Sequence, residues 1–407
     1  MSKLLEQINT ERKTKRLGDL VFINQSSIMN GFPYNEIEYI DTASVTQNHF
    51  DRPQILNINE APSRAKRLLK DGDTILSTVR PSLCHYGFIK KPKPNTVAST
   101  GFVVLTPKNI NPFYLYSYLT QDSITDTLSS IAEATTTTFP AFRPEFLSGI
   151  EIEIPDLPIQ NKIAEILSAY DSKIENNNKI IKNLEAIAQV IFKEWFINFR
   201  FPGYEKAKFV ESEMGEIPEG WEVKKISEFC EAYGGSTPST KNVEFWEGGD
   251  ISWVTPTDMT LLSSIFINRT KNKITKSGLQ NSSTRMLPEN TILMTSRATV
   301  GVLAISKIPI TTNQGFISCV CRKVEDTAFM FWWLKTNVQM IKHLATGSTF
   351  PEISRGVFRE INIFVPSDKV RLNFHKAVMP LHDLIYNLYV ENFQLKQSRD
   401  QLLAKLI

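Results

Sequence analysis

Ala134-Thr135-Thr136-Thr137-Thr138-Phe139-Pro140 recurs 211 residues later as Ala345-Thr346-Gly347-Ser348-Thr349-Phe350-Pro351, and without a gap Ile150, Ile152 and Pro155 fall on Ile361, Ile363 and Pro366. A repeat of that length lies far beyond the roughly 20 to 50 residues of a solenoid unit, so the chain holds two whole modules of one design. Working outward, Asn290 to Arg297 falls on Asp73 to Arg80 at a shift of 217, and Gln314-Gly315-Phe316 falls on Thr100-Gly101-Phe102 at 214. The drifting shift means small insertions in loops of two diverged copies. Two copies of a binding module suggest a ligand with two parts.

At 407 residues the chain suits two globular domains with connecting elements. A net charge of +3 permits nucleic-acid binding without demanding it, because an electrostatic footprint is local. Arg64, Lys66, Arg67 and Lys70 precede one Thr-Ile-Leu strand, and Arg269, Lys271, Lys273 and Lys276 precede its counterpart. Either run alone reads as a solvated face; their recurrence raises the case for a basic surface. Met1-Ser2-Lys3 leads into a charged polar stretch with no signal-peptide core, and no apolar run reaches the roughly 18 residues of a membrane span, so a cytoplasmic protein is expected. Cys84, Cys230, Cys319 and Cys321 lack paired metal-ligand spacing and are expected to be reduced and structural, with Cys319-x-Cys321 on one face of a strand.

The first module runs from about Arg12 to Pro155. Leu17-Gly18-Asp19-Leu20-Val21, Thr74-Ile75-Leu76-Ser77 after a Gly72-Asp73 turn, Phe102 to Leu105, and the alternating Ile150 to Ile154 all read as β. Pro112 to Leu119 reads as a short helix with Pro in its first turn. The second module repeats the plan, and a long helix follows each. Asp156 and Ser367 are N-cap residue types at aligned positions, with Pro158 in the first turn. Ile163, Tyr170, Asn177, Leu184 and Ile191 are spaced by seven, and the aligned Phe374, Leu381, Leu388, Leu395 and Leu402 keep the spacing with no polar interruption. Both read as coiled-coil seams, in which Asn177 can fix the register. The Gly, Pro and acidic content from Phe201 to Gly220 marks a linker. If the two helices run antiparallel, the chain finishes near its start, in a pseudo-twofold, roughly circular arrangement. Asp156 to Phe199 allows about 60 Å of helix at ~1.5 Å per residue, a span of at most ~18 base pairs at ~3.4 Å each.

No Gly-x-x-x-x-Gly-Lys-Ser/Thr loop is present, which excludes P-loop ATP hydrolysis. Asn111-Pro112-Phe113-Tyr114 lacks the second Pro of the amino-methyltransferase motif and reads as a helix cap. Pro155-Asp156 has no following Glu-x-Lys of a nuclease, and the five histidines are scattered, His375 and His382 having no third ligand. No catalytic constellation is recognisable.

Base and phosphate contacts need hydroxyls, amides and guanidinium groups on rigidly held loops, with Arg able to pair bidentately with guanine. Thr136, Thr137 and Thr138 leading to Arg143, and Ser348 and Thr349 leading to Arg355, supply such groups at matching places. Arg80 and Arg297 do so at the ends of matching strands, and Lys241 and Thr255 are further candidates in the second module. For each Arg the bland alternative is a structural salt bridge, and for a Ser/Thr tract an ordinary loop.

These residues meet a known pattern. Gly215-Glu216-Ile217-Pro218-Glu219-Gly220-Trp221-Glu222-Val223-Lys224-Lys225 resembles the opening of a recognition module in the DNA specificity subunits of type I restriction-modification systems. Gly234 to Lys241, Trp246 and Ile251 to Met259 resemble that family's early recognition-domain segment, and Pro158 to Leu167 the start of its spacer helix. The likeness spans essentially the whole chain but departs in the first module, where Gln25-Ser26-Ser27-Ile28-Met29-Asn30-Gly31-Phe32-Pro33 replaces the Gly-Gly-x-Thr-Pro segment. The resemblance implies an α/β (α+β) fold with a first target-recognition domain over 1–155, a spacer helix over 156–200, a linker over 201–220, a second recognition domain over 221–366 and a second helix over 367–407. It also implies a non-catalytic subunit that binds double-stranded DNA, each domain reading half of a split site, with no metal or cofactor of its own. Two modification subunits would dock on the helices carrying S-adenosylmethionine, and restriction subunits would use ATP and Mg. Alternatives are the specificity subunit of a methyltransferase-only or fused system, a stand-alone methyltransferase or nuclease, or a coiled-coil protein scaffold.

Overall fold

The computed structural model describes residues 12–29, 31–135, 140–347 and 351–407. The chain divides into two compact units, one of Met1–Lys173 with Leu395–Ile407 and the other of Ile174–Gln394. The long helices are therefore not separate bodies: each contributes a segment to each unit.

In the first unit Lys13–Arg16 pairs antiparallel with Glu151–Ile154, where Ile152 and Ile154 are buried and the alternate Glu residues are exposed. The expected strand at Leu17 is instead one helical turn, Leu17–Leu20. Leu17 and Leu20 are three apart and both buried, which a helical turn satisfies and a strand cannot. A four-stranded sheet then follows in the spatial order Val21–Ile23, Phe102–Pro107, Thr74–Ser77, Tyr86–Phe88. A second sheet places Glu36–Ile40 between the antiparallel Gln54–Asn57 and the parallel Thr96–Ser99, with Ala65–Leu68 outermost. Asn111 caps the helix Pro112–Leu119, its side-chain oxygen accepting from Tyr114 N at 2.9 Å, as the sequence indicates.

The second unit repeats this plan, with five strands in the sheet that has four in the first unit and three in the other. Glu222–Lys225 pairs with Asn362–Val365, the turn Ile226–Phe229 replaces Leu17–Leu20, and the sheet order is Cys230–Gly234, Phe316–Cys321, Ile292–Thr295, Leu303–Ser306, with Phe266–Ile267 added at the edge. Ile251–Val254 again lies between an antiparallel neighbour, Asn272–Ile274, and a parallel one, Thr311–Thr312. Cys319 and Cys321 lie on one face of their strand, and all four cysteines are free. The expected linker carries structure of its own: Phe209–Ser212 and Gly215–Pro218 form a hairpin closed through Gly215 at φ +95°, and Trp221 packs against Phe199 and Phe201 with centroids 5.5 and 5.4 Å apart. Its Gly and Pro residues mark a turn rather than an absence of strands.

The first long helix, Leu157–Phe196, and the second, Asp368–Leu406, run antiparallel within each unit. In the first unit Asp171 meets Arg399 at 2.6 Å, and Ile163 and Leu167 share a core with Leu406 and Leu402. In the second unit Asn177 meets Asn392, and Phe192 meets Phe374. The seven-residue lines expected at Ile163 and Phe374 are present, but the deeper lines lie four residues along: Leu167, Ile174, Ile181 and Ala188 on one helix, Val378, Ile385 and Asn392 on the other. Two such lines make a heptad's a and d positions. Asn177 is fully buried and donates to Glu391 at 2.8 Å and to Asn392 at 3.0 Å, while Asn392 donates to Asn178 at 2.9 Å. The second helix is thus interrupted by a polar residue after all, on the line that the Leu spacing does not follow.

Each long helix begins at a matched latch. Asp156 O and Ser367 O accept the first helical N–H groups, at the two expected cap positions. Gln160, 2% exposed, donates to Pro155 O at 2.8 Å and accepts from Asn111 N at 2.9 Å. At the same place in the second unit Arg371 donates to Pro366 O and pairs with Asp326 at 2.7 Å, both side chains only 9% exposed. Breaking such a buried pair strands a charge, so Arg371→Gln is expected to cost about 3–5 kcal/mol of second-unit stability. Adding Asp326→Asn removes that charge and should recover more than half of the loss, as a double-mutant cycle by denaturant titration will show.

A second expectation concerns His382, which is 3% exposed and accepts from Trp332 Nε1 through Nε2 at 3.0 Å. Burial first, then Lys307, His375 and Lys335, push its pKa down to about 3. An unfolded imidazole titrates near 6.5, so the unfolded chain takes up the proton first. The stability this group carries is complete above about pH 6.5 and is lost as pH falls towards 3, at about 1.4 kcal/mol per unit. All six tryptophans lie in the second unit, so tryptophan-monitored denaturation at pH 7 and pH 5 isolates it. His382→Gln, which keeps an acceptor for Trp332, should flatten that dependence.

Candidate nucleic-acid interface

In the first module Thr78–Arg80, Thr100-Gly101 and Pro140–Arg143 gather at one end of the four-stranded sheet. Thr78 N donates to Gly101 O at 2.9 Å, Phe142 N to Thr78 O at 3.1 Å and Arg80 N to Pro140 O at 2.8 Å. The second module repeats these bonds: Ser296 N to Gly315 O at 2.8 Å, Ile353 N to Ser296 O at 3.0 Å and Ala298 N to Pro351 O at 2.9 Å. The match revises the sequence alignment by one residue, so that Val79 corresponds to Arg297 and Arg80 to Ala298. Arg80 and Ala298 are both left-handed, at φ +46° and +61°. Burial agrees: Ile75 and Leu293 point into the cores between sheets, whereas Leu76 and Met294 point to the opposite faces. A one-residue slip exchanges the faces of a strand, and the shared Thr-Ile-Leu letters concealed it.

The 211 shift of the repeat, which these bonds keep, separates the other arginine pair. Arg143 precedes the 3-10 turn Pro144–Gly149, and the matching position before the helix Arg355–Arg359 is Ser354, whose hydroxyl accepts from Val357 N at 3.2 Å. Arg355 therefore stands where the first module has Pro144. Arg80, Arg143, Arg297 and Arg355 are all exposed at these sheet ends. Thr136, Thr137, Thr138, Ser348 and Thr349 lie outside the described residues.

Arg297 is held side-on by Glu352, Nε to Oε2 at 3.0 Å and Nη2 to Oε1 at 2.9 Å, which raises the guanidinium pKa above its ordinary value. Arg355 reaches over Gly234, its Nη1 4.0 Å from where a Cβ would sit. Thr255 adjoins this edge, but its hydroxyl is spent on a capping box with Asp258, at 2.6 Å. Lys241 is exposed on a turn braced by Trp246 Nε1, which donates to Ser239 O at 3.1 Å. Of the basic runs, Arg64 donates to the Tyr39 hydroxyl at 3.0 Å and Arg269 lies over the Phe393 ring, so both runs are anchored into the fold by their first residue.

Sequence reasoning missed Glu352, Gln314 and Arg285. Gln314 accepts from Thr237, and Arg285 stacks on Tyr233 with its guanidinium 4.4 Å from the ring centroid. Gln314 adjoins the Gly-Phe pair that marks the repeat, and Glu352 directly follows the repeated Phe-Pro, so proximity to both repeat signals could have found them. Among the described residues no group of three or more His, Cys, Asp or Glu is placed to hold a metal ion, and no helix is long and apolar enough to cross a membrane.

Two modules of one fold, each presenting exposed arginines on backbone-locked loops at a sheet end, define a class of protein suited to a two-part anionic ligand. The chain belongs to the family of the type I restriction modification DNA specificity domain, which it matches twice, over residues 9–186 and 218–380, and it is a DNA-binding specificity subunit. It is 29% identical to the type I restriction enzyme HindI specificity subunit of Haemophilus influenzae, over 97% of this chain and 98% of that one. Identity to the type I restriction enzyme MjaIX specificity subunit of Methanocaldococcus jannaschii is 36%, over 52% of this chain and 46% of the relative. The fold is similar to that of the type I restriction-modification S subunit from M. genitalium, with TM-score 0.55 and 15% identity over 98% of this chain and 97% of that one.

The second module's edge depends on Gly235, where a Cβ would lie 2.0 Å from Asn313 O and 2.4 Å from Thr312 O. Backbone on both sides leaves nothing to yield, so Gly235→Ala must displace Ser236 to Ser239 from Thr312. We expect a loss of about 1–3 kcal/mol in DNA binding through the second module with first-module contacts retained, read by binding to duplexes altered in one half-site at a time.

Proposed function

We propose that this chain is the non-catalytic subunit that selects the target of a cytoplasmic type I restriction-modification complex, each module reading one half of a split double-stranded site. The observation that carries the reading is the repetition of the sheet-end hydrogen bonds in both modules around different side chains. A common frame holds the backbone, while Val79, Arg80 and Arg143 in one copy and Arg297, Glu352 and Arg355 in the other face outward. Arg80, Arg143, Lys241, Arg297 and Arg355, with the hydroxyls of residues 136–138, 348 and 349, supply the contacts to bases and phosphates. Thr255 holds the loop rather than the DNA.

The helix pair sets the spacing of the half-sites and docks two modification subunits. Ile187 and Val190, 48% and 58% exposed on the first helix outside its two buried lines, support a docking face. S-adenosylmethionine is carried by those partners, and ATP and Mg by restriction subunits; this chain contributes recognition and assembly alone.

The test is exchange of residues 12–155 for the corresponding module of another such subunit, followed by mapping of methylated positions in the assembled enzyme. One half of the methylated motif should change and the other stay as it was. A change in both halves, or methylation by this chain without a partner, would refute the reading.

A further inference from the structure

The revised alignment exposes a difference between the modules that the sequence repeat hides. At one equivalent pair of positions, joined by an isolated antiparallel bridge in both units, the first module has Val79 and Ala141 and the second has Arg297 and Glu352. Glu352 is fixed further by two backbone bonds with Thr346, 2.8 and 2.9 Å long. The ion pair is therefore placed from both sides by backbone, although its side chains are 47% and 41% exposed. An ion pair this exposed is screened by solvent and adds little stability for its bidentate geometry, so the order it imposes on Arg297 is its main effect.

Its geometry suits another purpose. Glu352 takes the Nε and Nη2 edge of the guanidinium. The end-on fork, one N–H each from Nη1 and Nη2, remains directed away from the carboxylate. That fork matches the O6 and N7 acceptors of guanine in the major groove. A phosphate approaching the same fork meets the Glu352 charge as well, whereas a neutral base edge does not. The carboxylate thus preorients Arg297 and lowers its attraction for backbone phosphate.

We propose that Arg297 and Glu352 are the specificity-determining pair of the second module, Arg297 reading the guanine of one G·C pair and Glu352 discriminating against sequence-independent phosphate contact. This rests on the DNA-reading function proposed above. Val79 and Ala141 carry no donor or charge, so the corresponding position of the first half-site is read by other means.

The experiment is selection of bound duplexes by the full-length chain from a library randomised in both half-sites, with salt titration of the bound pool and of unrelated DNA. Arg297→Ala should lose roughly 10- to 100-fold of guanine preference at one position of one half-site. Arg297→Lys should not restore it, because an ammonium has no planar fork. Glu352→Gln should strengthen binding to unrelated DNA and steepen its salt dependence. Retention of the second half-site's preferences at its other positions in each variant shows that the second module is folded. An unchanged preference profile in Arg297→Ala, or weaker binding of Glu352→Gln to unrelated DNA, overturns the proposal while leaving the two-module reading in place. A wild-type chain with no preference in either half overturns both.

Discussion

The pairing of the two long helices is the constraint on which the rest of the structure depends. The core of the first unit includes Leu402, Leu403 and Leu406 from the far end of the chain, and the core of the second includes Ile181, Ala188, Phe192 and Phe196 from the helix that begins in the first. Neither core is complete until segments more than two hundred residues apart have met, so closure of a long loop precedes the gain from burial. The polar layer of Asn177, Asn178, Glu391 and Asn392 makes that meeting specific. A slip by one heptad would part Asn177 from Asn392 and set one of the two amides against an apolar seam residue, which leaves a buried polar group without its partner.

The same chemistry is solved twice at the start of each helix, with different residues. Gln160 and Arg371 both hold a prolyl carbonyl and reach to the start of the module's aromatic helix, one through a neutral amide and the other through an ion pair. What the two copies retain is the backbone position being held, and what they change is the charge. The sheet ends show the same division. There the backbone bonds are identical and the side chains they present differ in kind, from Val79 to Arg297. At latch and rim alike, divergence has been conservative in backbone geometry and free in side-chain chemistry.

Much of this was legible in the sequence because burial writes a period. Ile152 and Ile154 alternate, the seams repeat by seven, and Asn111 precedes Pro112 as a cap should, so the strand, helices and cap are where the letters place them. The failures lie where two periods or two registers fit the same letters. Leu17 and Leu20 suit a strand in isolation and a helical turn once both are buried. Thr74-Ile75-Leu76 and Thr291-Ile292-Leu293 share residues one step out of structural register, and only the face each side chain takes reveals it. Asn392 escaped because the Leu spacing traced one line of a two-line seam. Glu352 escaped because an ion pair between residues far apart in sequence leaves no local signature.

The last of these misreadings has a physical origin that bears on recognition. Backbone hydrogen bonds at the sheet ends are satisfied within the module, so the side chains they carry are released from any part in folding. A position such as Val79 or Arg297 is held to within the tolerance of a two-bond bridge whatever residue occupies it. Specificity can then change by substitution at the rim, without disturbing the buried frame that presents it, and the half-site read by one module can change while the latch and seam of the other remain intact. The cost falls on legibility. Positions free to vary for recognition are, by that freedom, the ones whose role no repeat or period records.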